Sequence, residues 1–285
     1  MILQFAEDSA LTPATTFCCE ICRTDQSVPE TDAFRCNFCG QEYSAGDPTP
    51  SIVLSPTQLA ALRNLSGRDA TGKSTLVTNW WTKNRDTEKA GDGFLFWNKD
   101  MPSRQFTRQL IADWAAAGEI KTVLEIAFGG LHEYRALRSK LRELQVTYSG
   151  VDWTDHFVQH AQQEFPECRW TQGDIVRGVA VEPADVVYSQ HMLEHIPSLE
   201  PALSNMLRLA RRKFINIFFL PPKPFEGYDV VNWNKHPIYH NTYGIGHVEK
   251  VCQSQGFRCT WKRFPPVAAP NGGTVEDMVL LAEKD

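Results

Sequence analysis

No stretch of this 285-residue chain approaches the roughly eighteen consecutive apolar residues that a membrane-crossing helix needs. The amino terminus, MILQFAEDSALTP, has no basic residue ahead of its short apolar stretch, so the pattern of a secretion signal is missing and a cytoplasmic location is expected. A disulfide framework is missing too. Of eight cysteines, four cluster near the start and the others, Cys18, Cys168, Cys252 and Cys259, are scattered. Positive charge is scarce in the first fifty residues, where Arg23 and Arg35 face eight acidic residues. That segment carries −6 of a net charge of −5, and the remainder is +1. Too few cations are present there to neutralise phosphates, which disfavours nucleic acid as its partner.

What is present is enough for a full core. With 42% hydrophobic and 22% charged residues, the chain suits one large domain plus a small one. The small one is expected over residues 1–50. Cys19 and Cys22 form one C-x-x-C and Cys36 and Cys39 a second, with Gly40 directly after. Two such knuckles aim four thiolates at one point and complete a closed, structural zinc site, a zinc ribbon. Cys18 competes with Cys19 for the register, and a redox dithiol or unbound thiols are the other readings. A segment this short buries little apolar surface, so zinc would supply its folding energy. The ribbon reads as a packing or protein-contact module.

AGDPTPSIVLSPT is a linker by composition and opens a region, 51–118, of linker and aromatic or helical extension. Within it, Gly67 to Ser74 (GRDATGKS) matches the phosphate-loop pattern letter for letter. That motif requires a buried strand feeding the loop. Here Leu59, Leu62 and Leu65 precede it at helical spacing, so the match is read as coincidence, with Lys73 solvated. Trp80, Trp81, Phe94, Phe96 and Trp97 read as core and lid, because too little positive charge is interleaved for base stacking. Phe106, Leu110, Ile111 and Trp114 predict a helix stopped by Gly118.

From about residue 119 the chain alternates strand and helix to its end. TVLEIAF, VTYSGVD, CRWTQGDI, ADVVYSQ, FINIFFL, FRCTWKRF and EDMVLLAE are the predicted strands. The helix after the first strand has Tyr134, Leu137, Leu141 and Leu144 on one face. The basic run Arg208, Arg211, Arg212 and Lys213 is expected to end the helix LEPALSNMLRLARR, where cations complement the carbonyl terminus. The fold class is α/β, a doubly wound, mainly parallel seven-stranded sheet of Rossmann-like type, with ligands at the carboxyl ends of the strands. The stretch Thr122 to Leu131 (TVLEIAFGGL) is the focus, since it ends a strand in an acidic residue and a glycine turn.

LEIAFGG, then GVDWT, GDI, SQHMLEHIP and NTYG in that order carry a resemblance. From about Thr122 to Lys284 the chain resembles the class I S-adenosylmethionine-dependent methyltransferases of the small-molecule VLEHI type. The resemblance covers somewhat over half of the chain and departs from the family's E-x-G-x-G at Ala127, which narrows the room for the cofactor's amino-acid end. It implies that Glu125 and the backbone of Ala127, Phe128, Gly129 and Gly130 hold the methionine part of S-adenosylmethionine. It further implies that Asp152 accepts the ribose hydroxyls, that Trp153 covers the adenine, and that Asp174 with the Ile175 amide meets its exocyclic amine. Gln190 and His191 would lie near the sulfonium.

For a base, the candidates are His191, His236 and His240; Glu194 and His195 read as helix-start structure. His236 and His240 belong to an insertion of about residues 221–243 that reads as a lid, whose aromatics suit an apolar or sugar-like acceptor. The implied function is methyl transfer to O or N of a small metabolite, sugar or biosynthetic intermediate. The tetrad of the DNA base-amino methyltransferases is absent, since SQHM stands at that position. An RNA methyltransferase with a zinc module, and a non-catalytic domain in which the ribbon recruits a partner, are the alternatives.

Overall fold

The computed structural model describes residues 101–196, 199–224, 241–268 and 274–284, and the backbone of four short strands nearer the amino terminus. Cys19, Cys22, Cys36, Cys39, the phosphate-loop match, the tryptophan-rich patch, His236 and His240 lie outside the described residues. The four short strands form two antiparallel pairs, β1 (Phe17–Cys18) with β2 (Asp25–Gln26) and β3 (Ala33–Arg35) with β4 (Glu42–Ser44). In chain order one C-x-x-C falls between the strands of each pair.

The main body follows as α1 (Pro102–Ala116), β5 (Thr122–Ile126), α2 (His132–Glu143), β6 (Thr147–Asp152), α3 (Asp155–Glu164), β7 (Arg169–Gln172) and β8 (Ala184–Gln190). It continues with a single 3₁₀ turn (Leu193–His195), α4 (Leu199–Leu209), β9 (Ala210–Phe218), α5 (Ile245–Ser254), β10 (Phe257–Arg263) and β13 (Met278–Lys284). A two-residue ladder joins β11 (Val267–Ala268) to β12 (Thr274–Val275), a hairpin absent from the sequence-based expectation. The sheet has seven strands in the order β10-β13-β9-β8-β5-β6-β7. β13 runs antiparallel to both neighbours and every other pairing is parallel.

Period-two alternation divides the strands between two cores. Val186 and Tyr188 join the core beneath α1, α2 and α3, while Val187 joins the one beneath α4 and α5. Each helix supplies an apolar stripe: Tyr134, Leu137 and Leu141 from α2, and Leu199, Ala202, Leu203 and Met206 from α4, are all buried. A parallel sheet is stable only when both faces are covered, and here they are.

Two local expectations are corrected. In α1 the buried stripe is Ser103, Arg104, Thr107, Ile111 and Ala115, whereas Phe106 and Trp114 are only partly covered. The helix turns a polar edge inward because Arg104 and Arg108 pair with the buried Glu133 of α2. A buried carboxylate needs its counter-charges more than the helix needs an apolar stripe there. The basic run does not end a helix. Only Arg208 belongs to α4, and Arg211, Arg212 and Lys213 start β9. Lys213 pairs with Glu119 and Glu283 and lies over the Trp114 ring, and Arg212 donates to the Glu119 carbonyl. Gly118, with φ at 73°, does stop α1 as expected.

Gly150 of β6 tests the packing under the site. A Cβ there would stand 2.6 Å from both the Phe128 and Trp170 rings. Gly150→Ala should therefore destabilise by about 1–3 kcal/mol through overpacking, read as a lower urea midpoint at unchanged m-value. A neutral substitution would contradict this packing.

Candidate active site

The order of the sheet reverses between β5 and β8. From β5 the chain winds outward through β6 and β7, then returns to start the other half at β8. The crevice beyond the carboxyl ends of these strands is where such sheets bind ligands. The segments TVLEIAFGGL, GVDWT and SQHM all end there.

The turn after β5 is built from left-handed backbone. Ala127, Gly129 and Leu131 have φ of 60°, 48° and 62°. For the two non-glycine residues this conformation costs roughly 1–2 kcal/mol each, so the surroundings must hold it. The Ala127 amide donates to the Val151 carbonyl at 2.7 Å, Phe128 is buried with its ring 4.9 Å from that of Trp170, and Leu131 is fully buried. Arg135 reaches back from α2 and donates to the Gly130 carbonyl at 2.5 Å. Ala127, the departure from the glycine pattern, thus carries a side chain on a backbone shaped as for glycine. A Cβ at Gly129 would meet nothing within 4 Å, so the outer side of the turn is open space against bare backbone.

Asp152, at the end of β6, faces this turn. One carboxylate oxygen accepts the Gly129 amide at 3.0 Å and the other the Thr154 amide at 2.8 Å. Burial raises its pKa, and these amides oppose the rise. The Thr154 hydroxyl and the Trp153 amide also face the carboxylate and oppose the rise. Glu125 is fully buried on the α2 side of β5, where the Tyr148 hydroxyl donates to one of its oxygens at 2.5 Å. Its other oxygen accepts nothing among the described residues. Burial first, then the Glu133 carboxylate, pushes Glu125 well above the ordinary carboxyl range. Trp153 is half-buried, and its carbonyl accepts from Gln172. Asp174 closes its own turn by accepting the Val176 amide at 2.9 Å, and the buried Ile175 is tied through its carbonyl to Asn205.

At the end of β8, Gln190 accepts from the Tyr188 hydroxyl at 2.8 Å. His191 is left-handed at φ 49°, and its amide donates to the Ile217 carbonyl. Its ring Nε2 lies 3.2 Å from Asp277 Oδ1, and Asp277, immediately before β13, is 1% exposed. Ser103, in the first turn of α1, donates to the other Asp277 oxygen. Facing a carboxylate oxygen, Nε2 is the natural donor of this pairing, which leaves Nδ1 as the acceptor. Phe219 stacks beside both His191 and His195.

Glu194 is buried in the 3₁₀ turn, as its helix-start reading implied. One oxygen accepts the Phe219 and Leu220 amides at 2.6 and 3.3 Å, and the other has no partner among the described residues. The stems of the insertion close beside it. Asn241 donates its amide to the Glu194 carbonyl, Tyr243 donates to the Leu193 carbonyl, and the Lys223 amide donates to that of Tyr243.

The structure places Ala127 to Gly130, Asp152, and Gln190 with His191 at or just beyond the carboxyl ends of β5, β6 and β8 respectively. The sequence reading missed Asp277, Ser103, Tyr148 and the Arg104–Glu133 pair. Asp277 had a signal, an acidic residue directly ahead of an apolar strand, but nothing in the sequence tied it to His191, 86 residues earlier.

Residues 124–215 match the family model of a methyltransferase domain. By that match, laid on the architecture just described, residues 124–215 form a methyltransferase domain. Among solved structures it is similar to the 1,6-didemethyltoxoflavin-N1-methyltransferase of Burkholderia thailandensis, with its substrate and S-adenosylhomocysteine bound, at 14% identity and a TM-score of 0.53. That match covers 89% of this chain and 99% of the other. The magnesium protoporphyrin IX methyltransferase of Synechocystis, with S-adenosylhomocysteine bound, matches at 17% identity over 64% of this chain and 84% of its own, at a TM-score of 0.44. DesVI of Streptomyces venezuelae matches at 12% identity over 67% and 96%, at 0.48. At these identities the likeness is one of fold. No curated protein matches the chain. No helix among the described residues is long and apolar enough to cross a membrane.

Burial pushes the Glu194 carboxyl up to about 8, against the two amides it accepts. A carboxyl whose pKa is raised by folding contributes stability that is complete below its unfolded value of about 4.3 and is lost as pH rises through its folded value. The wild-type protein should therefore lose on the order of a few kcal/mol between about pH 4.5 and 8 through this group. Glu194→Gln, a stand-in for the neutral carboxyl, should remove that dependence, seen as urea midpoints that move apart between pH 5 and 8.5 as the wild type falls and the variant does not. Parallel pH curves for the two proteins would refute the assignment.

Proposed function

We propose that this domain transfers a methyl group from S-adenosylmethionine to O or N of a small metabolite, sugar or biosynthetic intermediate. The observation that carries the reading is the convergence of the Asp152 carboxylate and the open, left-handed turn at Gly129 on the switch point between β5 and β8. The residues present fit the cofactor. Asp152 presents a carboxylate, an acceptor for the ribose hydroxyls, the turn exposes bare backbone for the amino-acid end, and Glu125 has an unused acceptor oxygen beneath it. Trp153 would cover the adenine, and Asp174 with the Ile175 amide would meet its edge.

S-adenosylmethionine supplies an electrophilic methyl on its sulfonium, and the protein's work is to align an acceptor with it and exclude water. His191 is the base we assign for a protic acceptor. Asp277 holds its Nε2 proton, so Nδ1 is the atom that would take the acceptor's proton. Support for a small-molecule acceptor over RNA comes from the basic run. Arg211, Arg212 and Lys213 start β9, at the opposite end of the sheet from the crevice. The 1,6-didemethyltoxoflavin-N1-methyltransferase, similar in fold at a TM-score of 0.53, acts by its name on 1,6-didemethyltoxoflavin.

We also propose a structural zinc ion on Cys19, Cys22, Cys36 and Cys39, supported by their spacing and by the strand pairs that flank each C-x-x-C in the chain.

Titration calorimetry with S-adenosylhomocysteine should show binding by the wild-type protein. Asp152→Asn should weaken it about tenfold or more, from the loss of charge-assisted hydrogen bonds. No binding, or unchanged binding in the variant, would sink the reading. Elemental analysis should find one zinc per chain, lost in a Cys36→Ser, Cys39→Ser double variant; a wild-type chain purified without chelator and free of zinc would remove the ribbon.

A further inference from the structure

Cys252 and Cys259 are seven residues apart and are brought together by a tight reversal. α5 ends at Ser254, Gly256 turns with φ at 77°, and β10 starts at Phe257 and packs back on the helix. Left-handed backbone at that point is what lets the strand fold against the helix's last turn. Both thiols are free, and both belong to the core beneath α4 and α5. Their exposures differ in a useful way. Cys252 is fully buried, whereas Cys259 is half-buried and lines a surface hollow with Glu249, Gln253, Gly256, Phe257 and Arg258. An oxidant in solvent meets Cys259, whereas Cys252 presents no surface to it. The hollow lies on the α5 side of the sheet and takes no part in the crevice described above.

We propose that Cys259 and Cys252 are a reversible thiol pair oxidised by peroxide-class oxidants, with Cys259 as the attacking and Cys252 as the resolving cysteine. The Cys259 sulfur attacks one peroxide oxygen, the O–O bond breaks, and one water leaves, so that Cys259 becomes a sulfenic acid. The Cys252 sulfur then attacks the Cys259 sulfur. The S–O bond breaks, and the hydroxyl departs as a second water with the Cys252 proton. Two thiols and one peroxide become one disulfide and two waters, and two electrons pass from sulfur to oxygen.

The electrostatics of the pair agree with this division. Cys252 gives its S–H to Cys259, which pushes Cys252 well up, with burial adding to the effect. The same hydrogen bond lowers Cys259, although burial and Glu249 oppose it. The outer sulfur, the less buried of the two, bears the smaller desolvation cost as a thiolate, the form that attacks. Cys168, half-buried beside Tyr134 and raised by burial, has no second cysteine among the described residues at its side and serves as an internal control.

The test uses the full chain, reduced, desalted and exposed to equimolar hydrogen peroxide. Free thiols are then blocked with N-ethylmaleimide and peptides mapped without reduction. Expected is a linked peptide joining Cys252 to Cys259, lighter by two hydrogens than the separate thiols and restored by dithiothreitol, while Cys168 remains alkylated. In Cys252→Ser the link is lost and Cys259 becomes reactive to dimedone as a trapped sulfenic acid. In Cys259→Ser, Cys252 stays reduced and buried. Cys259 driven to sulfinic acid with Cys252 still a thiol in the wild type, Cys259 linked to another cysteine, or both thiols unoxidised would each overturn the proposal. The wild-type mapping decides the matter even if a variant fails to fold.

Discussion

The Asp152 carboxylate is the tie on which the crevice depends. It sits at the end of β6 and holds the amide of Gly129, in the turn that leaves the neighbouring strand β5. That turn is strained at Ala127 and Leu131, by roughly 1–2 kcal/mol each, and would relax if left alone. Four restraints oppose relaxation: the bond to Asp152, the Phe128 ring seated against Trp170 over Gly150, the buried Leu131 side chain, and the Arg135 guanidinium on the Gly130 carbonyl. Asp152 bears a cost of its own. It is buried enough for its pKa to rise although two amides stabilise its charge, so hydroxyl donors from a ligand would act on an already stressed group. Strain and unsatisfied polarity gather where the chemistry is expected, which is where local rules are ordinarily broken.

Around this floor the walls come from distant parts of the chain. Ser103, His191 and Asp277 belong to α1, the loop after β8 and the loop before β13, and they meet in one hydrogen-bonded line. Glu194 ties the end of β9 through two amides, and Asn241 and Tyr243 close the far stem of the insertion onto the same 3₁₀ turn. α1 is therefore bound into the site it precedes. Beneath it, Arg104 and Arg108 neutralise Glu133 under Glu125 and Tyr148, a buried charge network in place of an apolar helix contact.

Periodicity was the reliable guide wherever one kind of residue covered one face. The stripe Tyr134, Leu137 and Leu141 and the strand ADVVYSQ were legible because helix and strand repeat differently and the core demands the repeat. It failed where charge overrode it. On α1 Ile111 is buried and Phe106 and Trp114 pack against the same core, but the stripe also takes in Arg104, which no apolar pattern marks. It failed again at Arg211 to Lys213, whose reading as a helix end overlooked the strand that follows α4 without a break.

By itself the sequence determined the alternation of strands and helices, the glycine turn after β5, and acidic residues at the ends of the right strands. These are local matters, decided within a few residues by propensity, pattern and turn chemistry. Only the tertiary structure decided that Asp277 and Ser103 hold His191, that Asp152 binds the amide of Gly129, and that Cys252 lies against Cys259. Those pairings join residues whose separation along the chain says nothing of their distance in space. They follow from strand order and from which face each side chain takes, and both are settled when the whole sheet closes on its two cores.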